Sequence, residues 1–422
     1  MRTPLYRSRP VAPNAARLGG ERINDFIVMS EGCSNTYLIE TPDGAILINA
    51  GMAFEAPIHL QNFSDLSSHA DNIKYVITTQ GHVDHVGGVA LFRRENPGLQ
   101  YIAQENNPEH QAYEARLARY RGARSSFRFA DRFREDARYY NENGYTLSVP
   151  HEPSTPDITF EDRHELQLGG LDIILIAAKG AETNDSLVVW LPQHEICLTG
   201  NLFGCPFGHF PNLVTIRGDR YRDALTCAEA AQTVLDLAPS TILYGHHAPI
   251  IGKDLIRDEL TAYRDAILYV HDEVVKGMNE GKSVHALMQE IELPLEYEVG
   301  QGYGKVSWSI RAIWENYSGW FHHESTTELY SIPQREIFQD ITELVGVDAL
   351  FERARAKFEG GRCEEALHLL DIVLGAVPDH EPSIDLSIEV HEKLLVGEEN
   401  FWLEGWLQNQ IKRLKEGKQA KY

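Results

Sequence analysis

The chain has 422 residues, 43% of them hydrophobic, and a formal net charge of −23 at pH 7. That length carries an ordinary buried core and predicts two domains. The acidic balance excludes nucleic acid and anionic membranes as partners, because neither is drawn to such a surface.

Residues 1–20 carry charge and proline but no apolar stretch, so they read as an irregular arm rather than a secretory signal. Such an arm either packs on a partner subunit or stays mobile. No apolar run approaches the ~20 residues that span a bilayer, which predicts no membrane insertion. Cys33, Cys197, Cys205, Cys227 and Cys363 are odd in number and widely spaced. They indicate neither a disulfide framework nor a thiolate zinc site, and the expected location is the cytoplasm. From 25 to 100, short β-rich runs are punctuated by Gly and Asp, with a buried strand over 73–79 and a helix beginning near Val89. Residues 108–140, rich in Ala, Arg, Glu and aromatics, predict a helical insertion, and 150–156 a loop. Strands are predicted over 171–177, 186–191, 195–199 and 240–244, with a helix over 223–237. This alternation places the chain in the α/β class. Past Thr261 nearly everything reads as helix. Val306, Ile310, Ile313 and Tyr317 form an apolar stripe at helical spacing, and Trp308, Trp314 and Trp320 read as core packing.

The densest chemistry lies in Thr78-Thr79-Gln80-Gly81-His82-Val83-Asp84-His85-Val86-Gly87-Gly88, directly after the predicted 73–79 strand. Two imidazoles, a carboxylate and an amide within six residues, where a strand becomes a loop, point to a metal site. The run resembles the metal-binding signature of the metallo-β-lactamase superfamily, His-x-His-x-Asp-His, with Gln80 at the first position. Asn35-Thr36-Tyr37-Leu38-Ile39 and the segment from Ala45 to Gly51 resemble that family's opening strands, with Asn49 in the place of an Asp. Gly245-His246-His247-Ala248-Pro249 resembles its late Gly-His-x-x-Pro turn, an alignment that selects His246 over His247. Glu182, in Gly180-Ala181-Glu182-Thr183, stands where most relatives carry His and is similar to the alkyl sulfatase branch. The segments 210–218 and 306–321 also resemble that branch, the second resembling its helical dimerisation domain. Within 348–380, Ala354, Phe358, Gly361, Ala366, Leu370 and Pro378 resemble a tetratricopeptide-type helical pair.

The resemblance implies an αββα sandwich over 21–300, with the helical insertion inside it, and an all-α dimerisation domain over 301–422 that makes a homodimer. It implies one or two Zn²⁺ or other divalent ions per subunit. Gln80, His82 and Glu182 would hold the first metal, and Asp84, His85 and His246 the second. Asn201 would occupy the bridging position, where an acid is usual. Amide oxygens are poorer ligands for a borderline metal, so the Asp84 side is expected to bind more firmly. The implied reaction is hydrolysis of a sulfate ester by metal-activated water. Asp84 would orient that water, and His82 would ligate a metal or act as acid or base. Arg217 and Asn212 would hold the sulfate. The aromatic run 202–210 either walls the substrate site or anchors its loop. The chain ends without the sterol-carrier-like domain of the longer alkyl sulfatases, which favours esters of small or medium apolar alcohols. Two alternatives stand beside this: a carboxylic ester or lactone hydrolase with an atypical, mononuclear site, and a non-catalytic dimeric binding protein on a decayed fold.

Overall fold

The computed structural model describes residues 3–145 and 151–417. Pro150, the first residue of the predicted loop, lies outside them, as do the ends of the predicted arm (1–2) and helical domain (418–422). Two compact units emerge, one of Met1–Ser125 with Ala130–Tyr317, the other of Ser126–Phe129 with Ser318–Tyr422.

The first unit holds two sheets. Strands β1 (Glu21–Arg22), β2 (Ile27–Ser30), β3 (Thr36–Thr41), β4 (Gly44–Ile48), β5 (Ile73–Ile77), β6 (Gln100–Gln104) and β7 (Ile158–Phe160) lie side by side in chain order. Pairing is antiparallel from β1 to β4 and parallel from β4 to β7. The second sheet contains β8 (Arg163–Leu168), β9 (Leu171–Ala177), β10 (Leu187–Leu191), β11 (Ile196–Gly200), β12 (Thr241–Tyr244) and β13 (Ile250–Ile251), again in sequence order. Only β11 and β12 run parallel there. The helices of this unit are α1 (Ala56–Leu66), α2 (Val83–Val86), α3 (Val89–Glu95), α4 (Asn107–Glu142), α5 (Ala224–Leu237), α6 (Lys253–Asn279), α7 (Val284–Glu290) and α8 (Val306–Ser318).

Alternation along the strands explains the layering. Ile27, Ile39, Ile46, Ile48 and Ile77 of the first sheet meet Ile173, Leu175, Leu187, Val189 and Leu198 of the second in one core. Their neighbours Val28, Leu38, Leu47 and Val76 face the other way, against Phe63 of α1 and Phe92 of α3. On the far side of the second sheet, Val188, Trp190, Cys197 and Ile242 pack on Ala231 of α5 and Ile267 of α6. Each fully buried branched side chain contributes about 1.5–3 kcal/mol, which drives both sheets to be covered on both faces. The result is helix, sheet, sheet, helix, the αββα arrangement. Asp223 starts α5 by accepting the Thr226 N–H at 2.8 Å, the bond that an N-cap acid supplies.

Four details differ from the sequence-based expectation, one being Trp320, which is 68% exposed rather than packed in a core. The arm is not left mobile but packs on its own unit: Leu5 N–H donates to Glu259 Oε1 at 3.2 Å, and Ala16 N–H to Glu55 Oε1 at 2.9 Å. The first unit continues past residue 300, because Val306, Ile310 and Ile313 of α8 are buried in the core of α5 and α6. Tyr317 leaves the predicted apolar stripe; it is 56% exposed and its hydroxyl meets His271 Nε2 at 2.8 Å.

The second unit is helical: α9 (Phe338–Val345), α10 (Val347–Glu359), α11 (Cys363–Ala376), α12 (Glu381–Leu395) and α13 (Phe401–Lys415). Ala354, Ala366, Leu370 and Val390 centre its core, so α10 and α11 meet through the small residues that gave the tetratricopeptide likeness. No helix among the described residues is long and apolar enough to cross a membrane.

Candidate metal centre

The motif hangs from the end of β5. Asn49, at φ 59° just past β4, accepts from the Thr79 N–H at 2.9 Å and the Thr79 hydroxyl at 3.1 Å. An amide side chain tolerates that left-handed backbone better than most residues. The Leu187 N–H donates to Thr79 O at 2.9 Å, tying the loop to the second sheet. His82 then opens the single turn of α2, its carbonyl accepting from the His85 N–H at 2.9 Å. The paired glycines that follow are required by space. A Cβ on Gly87 would lie 2.6 Å from Val83 O, and one on Gly88 would overlap Ala50 O and lie 2.6 Å from Ala56 Cβ. Gly88→Ala is therefore expected to cost about 1–3 kcal/mol through overpacking. A melting curve unchanged from wild type would contradict this.

Asp84, His85 and His246 form one donor set, with one ligand atom from each lying within 4.8 Å of the others. His85 and His246 are buried and Asp84 is half-buried. His246 follows β12, so both sheets contribute. Nδ1 of His85 lies 3.1 Å from Ser34 Oγ, which fixes the ring and leaves Nε2 toward Asp84 at 3.6 Å. Nε2 of His85 and Nε2 of His246 are buried without a hydrogen-bond partner among the described residues. Burial lowers both pKa values, that of His246 to about 3, so the rings stay neutral, the form that ligates. Buried, unpartnered imidazole nitrogens beside a carboxylate fit a divalent metal. His247, with φ 63° and Nδ1 3.4 Å from Asn14, is outside this set.

His82 belongs to a different set. With His110 and Glu114 of α4 it forms a second group whose donors lie within 4.8 Å of one another. Nε2 of His82 is 3.6 Å from Asp219 Oδ2, and burial lowers its pKa to about 3. Asp219 accepts from Arg121 Nη2 at 3.0 Å, while Arg121 also pairs with Glu114. Contacts with His82, Arg222 and Arg217 outweigh burial and hold the Asp219 carboxyl well below its usual range.

Of the other expected ligands, Gln80 and Glu182 have their own partners. Gln80 is buried with its amide 2.9 Å from His82 Nδ1. Glu182 Oε1 accepts from Arg222 Nη2 at 2.8 Å; burial pushes its pKa up to about 7 despite Arg222. Asn201 keeps a buried Oδ1 without a hydrogen-bond partner among the described residues. Arg217 is half-buried, its Nη2 3.8 Å from Asp219 Oδ2. Asn212 is buried and its carbonyl accepts from Arg222 Nη1 at 2.6 Å. Phe203, Phe207 and Phe210 are about 1% exposed, packed with Tyr244 and Tyr263 in the α5–α6 core, so they anchor their loop rather than wall a substrate. His209 is buried and accepts from the Gly302 N–H at 2.8 Å. Sequence inspection missed His110, Glu114, Arg121, Asp219 and Arg222. One signal was present: His110 and Glu114 at i and i+4 share a helix face.

Residues 31–246 match the family described as the metallo-beta-lactamase superfamily, and 285–417 match that described as alkyl sulfatase dimerisation. A linear primary-alkylsulfatase of Pseudomonas sp. is 26% identical over 325 residues, covering 73% of this chain and 60% of the relative. An alkyl/aryl-sulfatase of Saccharomyces cerevisiae is 24% identical over 406 residues, covering 92% and 62%. The structure of a stereoselective inverting sec-alkylsulfatase from Pseudomonas sp. superposes with a TM-score of 0.81 at 21% identity, covering 96% of this chain and 66% of that one. The chain thus spans about 60% of the length of these curated relatives.

Proposed function

The chain belongs to the metallo-β-lactamase superfamily, and on that footing we propose that it is a metal-dependent hydrolase of sulfate esters. The observation that carries this is the Asp84–His85–His246 donor set, with unpartnered imidazole nitrogens, in a chain whose curated relatives include alkylsulfatases. Imidazole with carboxylate favours Zn²⁺ among the common divalent ions. Bound there, such an ion lowers the pKa of water toward about 7. Asp84, the half-buried member of the set, would orient the attacking water and accept its proton. Arg217, half-buried with its guanidinium loosely held by Asp219, offers paired N–H donors to the sulfate oxygens. Water adds across the ester, giving an alcohol and sulfate. Arg222 makes no substrate contact in this account, since its three donor nitrogens serve Glu182 and Asn212. The match of 285–417 to the alkyl sulfatase dimerisation family supports a homodimer. Five unpaired cysteines support a reducing compartment, the cytoplasm.

A panel of medium-chain alkyl sulfates, phosphate monoesters, carboxylic esters and lactones tests the bond cleaved. The alkyl sulfates are expected to turn over at least about tenfold faster than the rest, a gap of about 1.4 kcal/mol in the barrier. Preference for a lactone or carboxylic ester would replace this assignment.

A further inference from the structure

His82 and His110 present an anomaly that the Asp84 set does not explain. Both rings are buried, and both Nε2 atoms lack a hydrogen bond among the described residues. His82 Nε2 lies 3.6 Å from Asp219 Oδ2 and His110 Nε2 3.8 Å from Glu114 Oε1, too long for hydrogen bonds, and buried nitrogens left so are costly unless something binds beside them. Their Nδ1 atoms are already engaged, His82 with the Gln80 amide at 2.9 Å and His110 with Asn184 Oδ1 at 2.8 Å. A side-chain oxygen accepting from Nδ1–H leaves Nε2 with its lone pair, as in ligating histidines. Asn184 presents that oxygen directly, and Gln80 does so after a half-turn of its amide. Glu114 Oε1 lies 3.8 Å from His110 Nε2, close to the roughly 3.4 Å edge of a tetrahedral zinc site. Arg121 pairs with both Glu114 and Asp219, which orients both carboxylates around the two rings. Gly81 allows the approach: a Cβ there would lie 3.0 Å from His110 Cδ2 and 3.0 Å from Asp185 Oδ2.

We propose that His82, His110 and Glu114 form a second divalent-metal site of this chain, with Gln80 orienting His82 instead of binding the ion. The helical insertion thereby supplies two of the three ligands, and Glu182 remains the partner of Arg222. The inference rests on the metal-dependent account of the Asp84 set and extends it to a second ion.

Metal content after zinc loading and dialysis tests it, measured on the full chain with circular dichroism as the control for folding. Wild type should hold about two equivalents, and His110→Ala and the near-isosteric Glu114→Gln about one each. Asp84→Ala should lose the other equivalent, and Glu182→Gln should keep both. Cobalt substitution gives a second readout, because the visible absorption of one site should vanish in Glu114→Gln and the other persist. Two equivalents in both α4 variants would overturn the proposal. So would a single equivalent in wild type that Asp84→Ala removes, although that result leaves the hydrolase assignment standing. No bound metal in wild type would overturn both.

Discussion

Asp84→Ala is expected to lower kcat/KM for the preferred sulfate ester by about 10²–10⁴-fold, the range for losing a positioned base. It is also expected to release the ion shared with His85 and His246. The two imidazoles of that set are neutral, so Asp84 is its formal charge. Without that charge a dication would face two neutral rings. The stability of the metal-free protein should change little, because Asp84 is only half-buried and its contact with His85, at 3.6 Å, is too long for a hydrogen bond. Elemental analysis and initial rates on the same preparation check both halves. A variant with full metal and near-normal turnover would remove Asp84 from the centre.

Arg222→Ala is expected to give the largest loss of stability. Its guanidinium donates to Glu182 O at 2.8 Å, Glu182 Oε1 at 2.8 Å and Asn212 O at 2.6 Å, and its Nη2 lies 3.9 Å from Asp219. The side chain is only 6% exposed. Truncation strands a buried Glu182 and two carbonyls, a change that costs about 3–5 kcal/mol. For a unit of this size that lowers the melting temperature on the order of 10 °C. Arg222→Lys should recover only part of this, because one ammonium cannot serve three oxygens held in a fork. Combining Arg222→Ala with Glu182→Gln should cost less than the sum of the two, since the stranded charge is gone. Equal melting temperatures for wild type and Arg222→Ala would contradict the structural role.

The short-range part of the site was legible in the sequence. His82, Asp84 and His85 lie within four residues after a buried strand, and His246 follows another, so local pattern located them. The core strands were legible for the same reason: 171–177 is apolar apart from Asp172, and β9 occupies that span. β8 was not legible, because its side chains alternate between exposed and half-buried and carry no apolar run. The long-range part of the site was hidden by chain separation. His110 and Glu114 stand on a predominantly polar helix of 36 residues, where a solvated face is the ordinary expectation. Only the fold brings that face against Gly81 and His82. Asp219 likewise gains meaning only once Arg121, arriving from α4, pairs with it beside Arg222. The aromatic run at 202–210 misled in the opposite direction. Composition cannot tell an inward-facing anchor from a substrate wall, and the packing of Phe203 and Phe207 on Tyr263 and Tyr244 makes it an anchor.

The most direct test of metal-dependent sulfate ester hydrolysis is sulfate release from a medium-chain alkyl sulfate, before chelation, after it, and after zinc is restored. The account predicts sulfate and alcohol in equal amounts, loss of both on chelation, and recovery on restoring zinc. Sulfate release undiminished in the metal-free protein, or none from the zinc-loaded wild type across the alkyl sulfate series, would contradict it.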